Sequence, residues 1–331
     1  MPIFRSHLTT PSRRRVLVTV ASALVLTLAL GACRVNSVNL FASDKLAPGS
    51  PESAVPSREG VAYGPDPMQK IDIHLPTNGA NVGTIVYFHA GGWISGSREQ
   101  IAPIVLAERA RGWAIVSVEY RLAPAVRAPQ LLADADRALR FVRANGAGYG
   151  LNTSTIVSAG ASAGGHIATM MGAAYNQNVD PTLPAKLAST SPKPDAVINL
   201  VGPSDLTTLW QAGGWAPGLI DDFLGCTMGG SETTLPRCDI DYARRYSPAF
   251  WAALSAYFGT KLMPIYMAYG PWDTLVRVDT QGDVLYQPWQ IAGGDLATWY
   301  ETPEWGGHNI AFDMNKTAFD IFLNKVRDRA F

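Results

Sequence analysis

From residue 69 onward, short runs rich in β-branched and aromatic residues alternate with longer stretches of helical spacing, and no other feature restricts the fold as strongly. Seven runs read as strands: 69–75, 84–88, 113–118, 155–159, 196–201, 264–269 and 297–301. Helices are expected over 98–111, 130–144, 163–174, 279–292 and 316–329. In the last of these Phe319, Phe322, Leu323 and Val326 fall at i, i+3, i+4 and i+7. Strands this uniformly apolar must bury both faces, which predicts a mostly parallel sheet covered by helices. No internal repeat is found, so one α/β domain is expected.

Residues 202–261 interrupt the alternation. They contain no clear strand, and they carry Trp210, Trp215, Phe223, Phe250, Trp251 and Tyr257. Sixty irregular residues would be unusual in a compact domain, so this segment reads as a partly helical cap inserted between two strands.

The first 32 residues read as an export signal: Arg13, Arg14 and Arg15 precede a charge-free run, 16–32, that is short for a membrane span and ends in small residues. Leu30-Gly31-Ala32-Cys33 resembles the lipobox of bacterial lipoproteins, which implies acylation of Cys33. Ser12-Arg13-Arg14-Arg15-Val16-Leu17 looks like a twin-arginine signal, and an ordinary basic leader is the alternative. Residues 33–60, rich in Ser, Pro, Gly and Ala, are expected to form a flexible tether, with the folded domain over 61–331. The expected location is outside the cytoplasm, on the periplasmic or exterior side of a membrane.

The chain has 27 basic and 27 acidic side chains. That balance argues against a nucleic-acid partner. Loss of Arg5, Arg13, Arg14 and Arg15 with the signal would leave 23 basic side chains against 27 acidic ones, a net charge of −4. An acidic body is not held to anionic lipid by charge, so attachment would depend on the lipid on Cys33. Two further cysteines, Cys226 and Cys238, lie 12 positions apart. In an oxidising compartment they are expected to pair.

The chemistry centres on Gly160-Ala161-Ser162-Ala163-Gly164, where the strand run 155–159 passes into a helix. G-x-S-x-G in that context marks a nucleophile elbow, with Ser162 as the nucleophile. Seventy residues upstream, the run 84–88 ends in His89-Ala90-Gly91-Gly92-Trp93, which resembles the HGGG oxyanion loop. Fixed backbone N–H groups stabilise the charge that builds on a carbonyl oxygen during acyl transfer, and Gly91, Gly92 and Ala163 are the expected donors. His89 and Trp93 are expected to support that loop.

A serine hydroxyl needs a base. Of five histidines, His7 is in the signal, His74 in a strand, His89 in the oxyanion loop and His166 in the helix after the elbow. His308, in the loop between the last strand and the last helix, remains as the base. His166 is read as a packing residue.

These motifs, their order and their spacing resemble the α/β-hydrolase superfamily, in particular carboxylesterases of the hormone-sensitive-lipase-like and feruloyl esterase-like branch, over residues 60–331. Glu119-Tyr120-Arg121-Leu122-Ala123-Pro124 and the helix holding Asp134 are similar to segments of that branch; Ala90 departs from its usual glycine. The resemblance implies an α/β-hydrolase fold with a cap. It also implies that Asp273, in Gly270-Pro271-Trp272-Asp273-Thr274-Leu275-Val276, orients His308; Asp279 and Asp283 are rivals in the next helix, and Asp205 suits a turn or cap. The expected reaction is hydrolysis of small-molecule carboxylic esters through an acyl-enzyme. An amide hydrolase (peptidase or formamidase) is the alternative, and an inactive surface binding protein a more remote one. No metal site or organic cofactor is implied, because no ligand cluster has metal spacing and no G-x-G-x-x-G follows a strand.

Overall fold

A computed structural model describes residues 56–175, 177, 179–229, 235–308 and 315–331. The expected signal, Cys33 and most of the expected tether lie outside them. Eight strands form one sheet: β1 (Arg58–Ala62), β2 (Lys70–His74), β3 (Gly83–Phe88), β4 (Trp113–Val118), β5 (Ile156–Ala161), β6 (Ala196–Leu200), β7 (Ile265–Ala268) and β8 (Thr298–Glu301). Their spatial order is β1-β2-β4-β3-β5-β6-β7-β8. β2 runs antiparallel to both of its neighbours, and every other pairing is parallel.

The helices are α1 (Pro103–Leu106), α2 (Ala128–Asn145), α3 (Ala163–Ala173), α4 (Ala185–Ala188), α5 (Leu206–Gln211), α6 (Ala216–Leu224), α7 (Ile240–Arg245), α8 (Pro248–Phe258), α9 (Asp283–Gly293) and α10 (Lys316–Asp328). β3 shows why the central strands are apolar throughout. Val86 and Phe88 join a core with Leu131, Leu132 and Leu139 of α2 and Ile167 of α3, whereas Ile85 and Tyr87 join one with Phe319, Phe322 and Leu323 of α10. Alternate side chains serve opposite faces, and both faces are covered. This is the α/β-hydrolase arrangement.

Three expectations need correction. The domain begins at Arg58, inside the stretch read as tether, because Arg58, Val61 and Ala62 pair with β2. The helix expected over 98–111 begins only at Pro103, which favours the first turn of a helix. Before it, Arg98 is drawn instead into ion pairs with Asp72 (2.8 Å) and Glu119 (3.1 Å). The helix expected over 279–292 opens as a π-helical turn, Val278–Gly282, and becomes α-helical only at Asp283.

Within 202–261, α5 to α8 occupy the interval between β6 and β7. Asp205 caps α5, its carboxylate accepting from the N–H of Thr207 and Thr208. Cys226 and Cys238 are joined by a disulfide.

Candidate active site

The parallel register brings Phe88 beside Gly160, Ala161 beside Leu200, Leu200 beside Ala268, and Ala268 beside Glu301. The segments that leave β3, β5, β7 and β8 therefore emerge at one end of the sheet. Ser162 stands directly after β5, at φ 52° and ψ −123°, a conformation uncommon for any residue with a Cβ. It is locked from both sides: its N–H donates to Leu200 O (2.8 Å) and its carbonyl accepts from His166 N–H (3.0 Å). A Cβ on Gly164 would lie 2.0 Å from Phe88 O, so only glycine lets α3 start this close to β3.

Ser162 Oγ lies 2.9 Å from His308 Nε2, and His308 Nδ1 lies 2.7 Å from Asp273 Oδ2. With the carboxylate at Nδ1, the imidazole holds its proton there and Nε2 is free to accept from the serine hydroxyl. Asp273 Oδ1 accepts from the N–H of Leu275 and of Val276, both at 2.9 Å. The Asp273 side chain is fully buried, and that of His308 is 21% exposed. The two loops that carry them touch through Trp272 N–H and Gly306 O (2.9 Å). A Cβ on Gly270 would meet Gly306 O at 2.5 Å, so this approach also requires glycine.

The rival carboxylates are engaged elsewhere. Asp279 pairs with Arg277 and Asp283 accepts from the Tyr300 hydroxyl (2.8 Å).

In the oxyanion loop, Gly91 O accepts from the N–H of Ile94 and Ser95, which closes a tight turn after β3. Among the described residues none accepts from the N–H of Gly91, Gly92 or Ala163. Gly92 and Ala163 border a cavity beside Ser162, together with Pro203, Leu209, Trp215, Leu219 and Leu275. An oxyanion placed there would meet unpaired donors without displacing an internal bond.

The BD-FAE family model matches residues 71–286, well over half of the chain. The chain belongs to the BD-FAE family. Esterase LipC of Mycobacterium tuberculosis (strain H37Rv) is 36% identical over 154 residues, 45% of this chain and 37% of LipC. Carboxylesterase NlhH from the same organism is 42% identical over 92 residues, 28% of this chain and 29% of NlhH. The matched segments thus span well under half the length of either relative. Among solved structures, a truncated carbohydrate esterase from gut microbiota superposes with TM-score 0.67 at 20% identity, covering 84% of this chain and 99% of that one. Esterase 2 of Thermogutta terrifontis with bound propionate gives TM-score 0.63 at 23% identity, covering 83% and 96%. These likenesses establish the fold.

Within this BD-FAE chain, His89 pins the loop that follows β3. Its ring stacks on Tyr120 with centroids 4.2 Å apart, Nδ1 donates to Ala90 O (2.7 Å), and its carbonyl accepts from the Tyr120 hydroxyl (2.8 Å). Its Nε2 lies 3.8 Å from Glu119, too far for a hydrogen bond. Burial lowers its pKa to about 4, against a smaller opposing effect of the Ala90 carbonyl, so the ring is neutral near pH 7.

His166 holds more together than a packing role requires. Nδ1 accepts from Trp93 Nε1–H (3.3 Å), so Nε2 carries the proton and donates to Tyr246 O (2.7 Å). Burial lowers its pKa to about 4 as well. Trp93 in turn stacks on Phe223 of α6, centroids 4.7 Å apart. One imidazole thereby joins α3, the loop after β3 and the segment between α7 and α8. The only sequence signal for it is its place four residues after Ser162, one helical turn along α3, where its side chain lies close to the elbow.

Proposed function

We propose that the protein is a serine carboxylesterase in which Ser162, His308 and Asp273 act together. The observation that carries this reading is the unbroken hydrogen-bond chain from Ser162 Oγ through His308 to a buried Asp273, at the head of a nucleophile elbow. Ser162 Oγ attacks the ester carbonyl as its proton passes to His308 Nε2. The tetrahedral oxyanion is held by N–H groups of Gly91, Gly92 and Ala163. The C–O bond to the alcohol then breaks, and His308 returns the proton to the leaving oxygen. Water attacks the acyl-serine by the same steps in reverse, releasing the acid. Asp273 fixes the imidazole tautomer and stabilises the imidazolium.

The reading extends to an exported lipoprotein acylated at Cys33, supported by the lipobox-like sequence, by the basic and apolar leader, and by a disulfide suited to an oxidising compartment.

The test of the chemistry is hydrolysis of 4-nitrophenyl esters by the wild-type chain and by Ser162→Ala. Loss of turnover in the variant, with unchanged thermal unfolding, is the expected result. Equal rates in both would exclude Ser162 as nucleophile, and faster turnover of matched amides than of esters would assign the same machinery to amide hydrolysis. For the anchor, Cys33→Ser should shift the protein from the membrane fraction to the soluble fraction.

A further inference from the structure

We infer that Leu219 of α6 sets the length of the acyl group the site accepts; this rests on the esterase reading above. The cavity beside Ser162 has a volume of about 10 Å³. That is the room of roughly one water molecule, or of one methyl group. Leu219 forms its wall above the oxyanion loop. A Cβ built on Gly92 would lie 2.9 Å from Leu219 Cδ1, so the leucine is seated directly on the backbone expected to receive the oxyanion.

Which half of an ester enters this space follows from proton transfer. The alcohol oxygen must face His308 Nε2 to be protonated as it leaves. His308 does not border the cavity, whereas Ser162, Gly92 and Ala163 do. The group that enters is therefore the acyl chain.

Leu219 is poorly placed to swing aside. Ile220 and Phe223, on the same helix, are buried, and Phe223 is stacked on Trp93. Asp221 accepts from Trp210 Nε1–H (3.0 Å) and Asp222 O accepts from Arg127 (2.6 Å), which tie α6 to α5 and to the start of α2. One turn beyond Phe223, Cys226 is bonded to Cys238. The helix that carries Leu219 is thus held in place over the cavity, and each methylene beyond acetyl meets the leucine.

The experiment measures kcat/KM for 4-nitrophenyl acetate, butyrate, hexanoate and octanoate with wild type, Leu219→Ala and Leu219→Phe. Wild type should favour acetate over hexanoate by about 100-fold, since a misfit of one or two methylenes in an apolar pocket is worth about ten-fold or more. Leu219→Ala should raise the hexanoate to acetate ratio at least about ten-fold, and Leu219→Phe should lower it. A parallel series of acetates of increasing alcohol length should keep its wild-type profile in both variants. A wild-type optimum at octanoate, an acyl profile unmoved in both variants, or a shift confined to the alcohol series would overturn the assignment. Wild type inert toward every ester would instead overturn the esterase reading, and this inference with it.

Discussion

The elbow and the cap face each other across one cleft, yet they are held by different means. Around Ser162 the constraints are backbone contacts of very short range: the Leu200 and His166 hydrogen bonds, and Gly164 against Phe88 O. Across the cleft, α6 is held through side chains: Phe223 on Trp93, Trp210 on Asp221, and a disulfide. A motif of five residues can encode the first kind of constraint. The second depends on the size and chemistry of particular side chains, so substitutions on the two sides should fail differently.

Asp273→Asn should give the largest effect and the sharpest contrast. It is expected to lower kcat by about 10⁴-fold, because the amide can favour the wrong imidazole tautomer, while thermal stability changes little. A variant that loses its fold together with its activity would place Asp273 on the structural side of the comparison. Phe223→Ala should behave in the opposite way. Removing a buried aromatic ring is expected to cost about 3–5 kcal/mol in denaturant unfolding, and surviving activity should fall less than in the aspartate variant.

Replacing both Cys226 and Cys238 by serine releases a short loop at the end of α6. The expected loss is about 3 kcal/mol in the chain-entropy picture. Its companion readout is a broader acyl-length profile, because the helix that carries Leu219 loses an anchor. A profile unchanged despite the loss of stability would show that aromatic packing alone positions α6.

The smallest effect is a pH dependence that touches both sides. His89 and His166 have pKa values of about 4 in the folded chain, lowered chiefly by burial, against about 6.5 when exposed. Between those values the unfolded chain binds more protons, so their contribution is fully present above pH 6.5 and is lost as the pH falls toward 4. Moving from pH 7 to pH 5.5 should cost about 1 kcal/mol for each ring. His74, also lowered to about 4, acts in the same direction. Urea titrations at the two pH values, repeated with His166→Gln, would measure that ring's share; an undiminished acid loss in the variant would mean that His166 is not its source.

The unequal construction explains which parts could be read in advance. Strands β3 to β7 were legible because burial on both faces leaves an unmistakable apolar run. β1 was not, since its residues are exposed or half-buried and its identity depends on pairing with β2. The helix start at Pro103 was missed because Arg98 has tertiary partners, Asp72 and Glu119, that local spacing cannot show. Ser162 and His308 could be named from a motif and from the small number of histidines, and Asp273 from resemblance. The joining role of His166 and the place of Leu219 over Gly92 were hidden, because each depends on contacts between segments more than 50 residues apart.

The backbone at Ser162 also limits which evolutionary replacements are open to this position. At φ 52° a β-branched side chain is a steric outlier, so threonine, although it carries a hydroxyl, would have to unbend the turn to be accommodated. Cysteine meets no such obstacle. A lineage that exchanged its nucleophile could therefore turn to sulfur in a single substitution, whereas a threonine enzyme would require rebuilding the strand-to-helix junction itself.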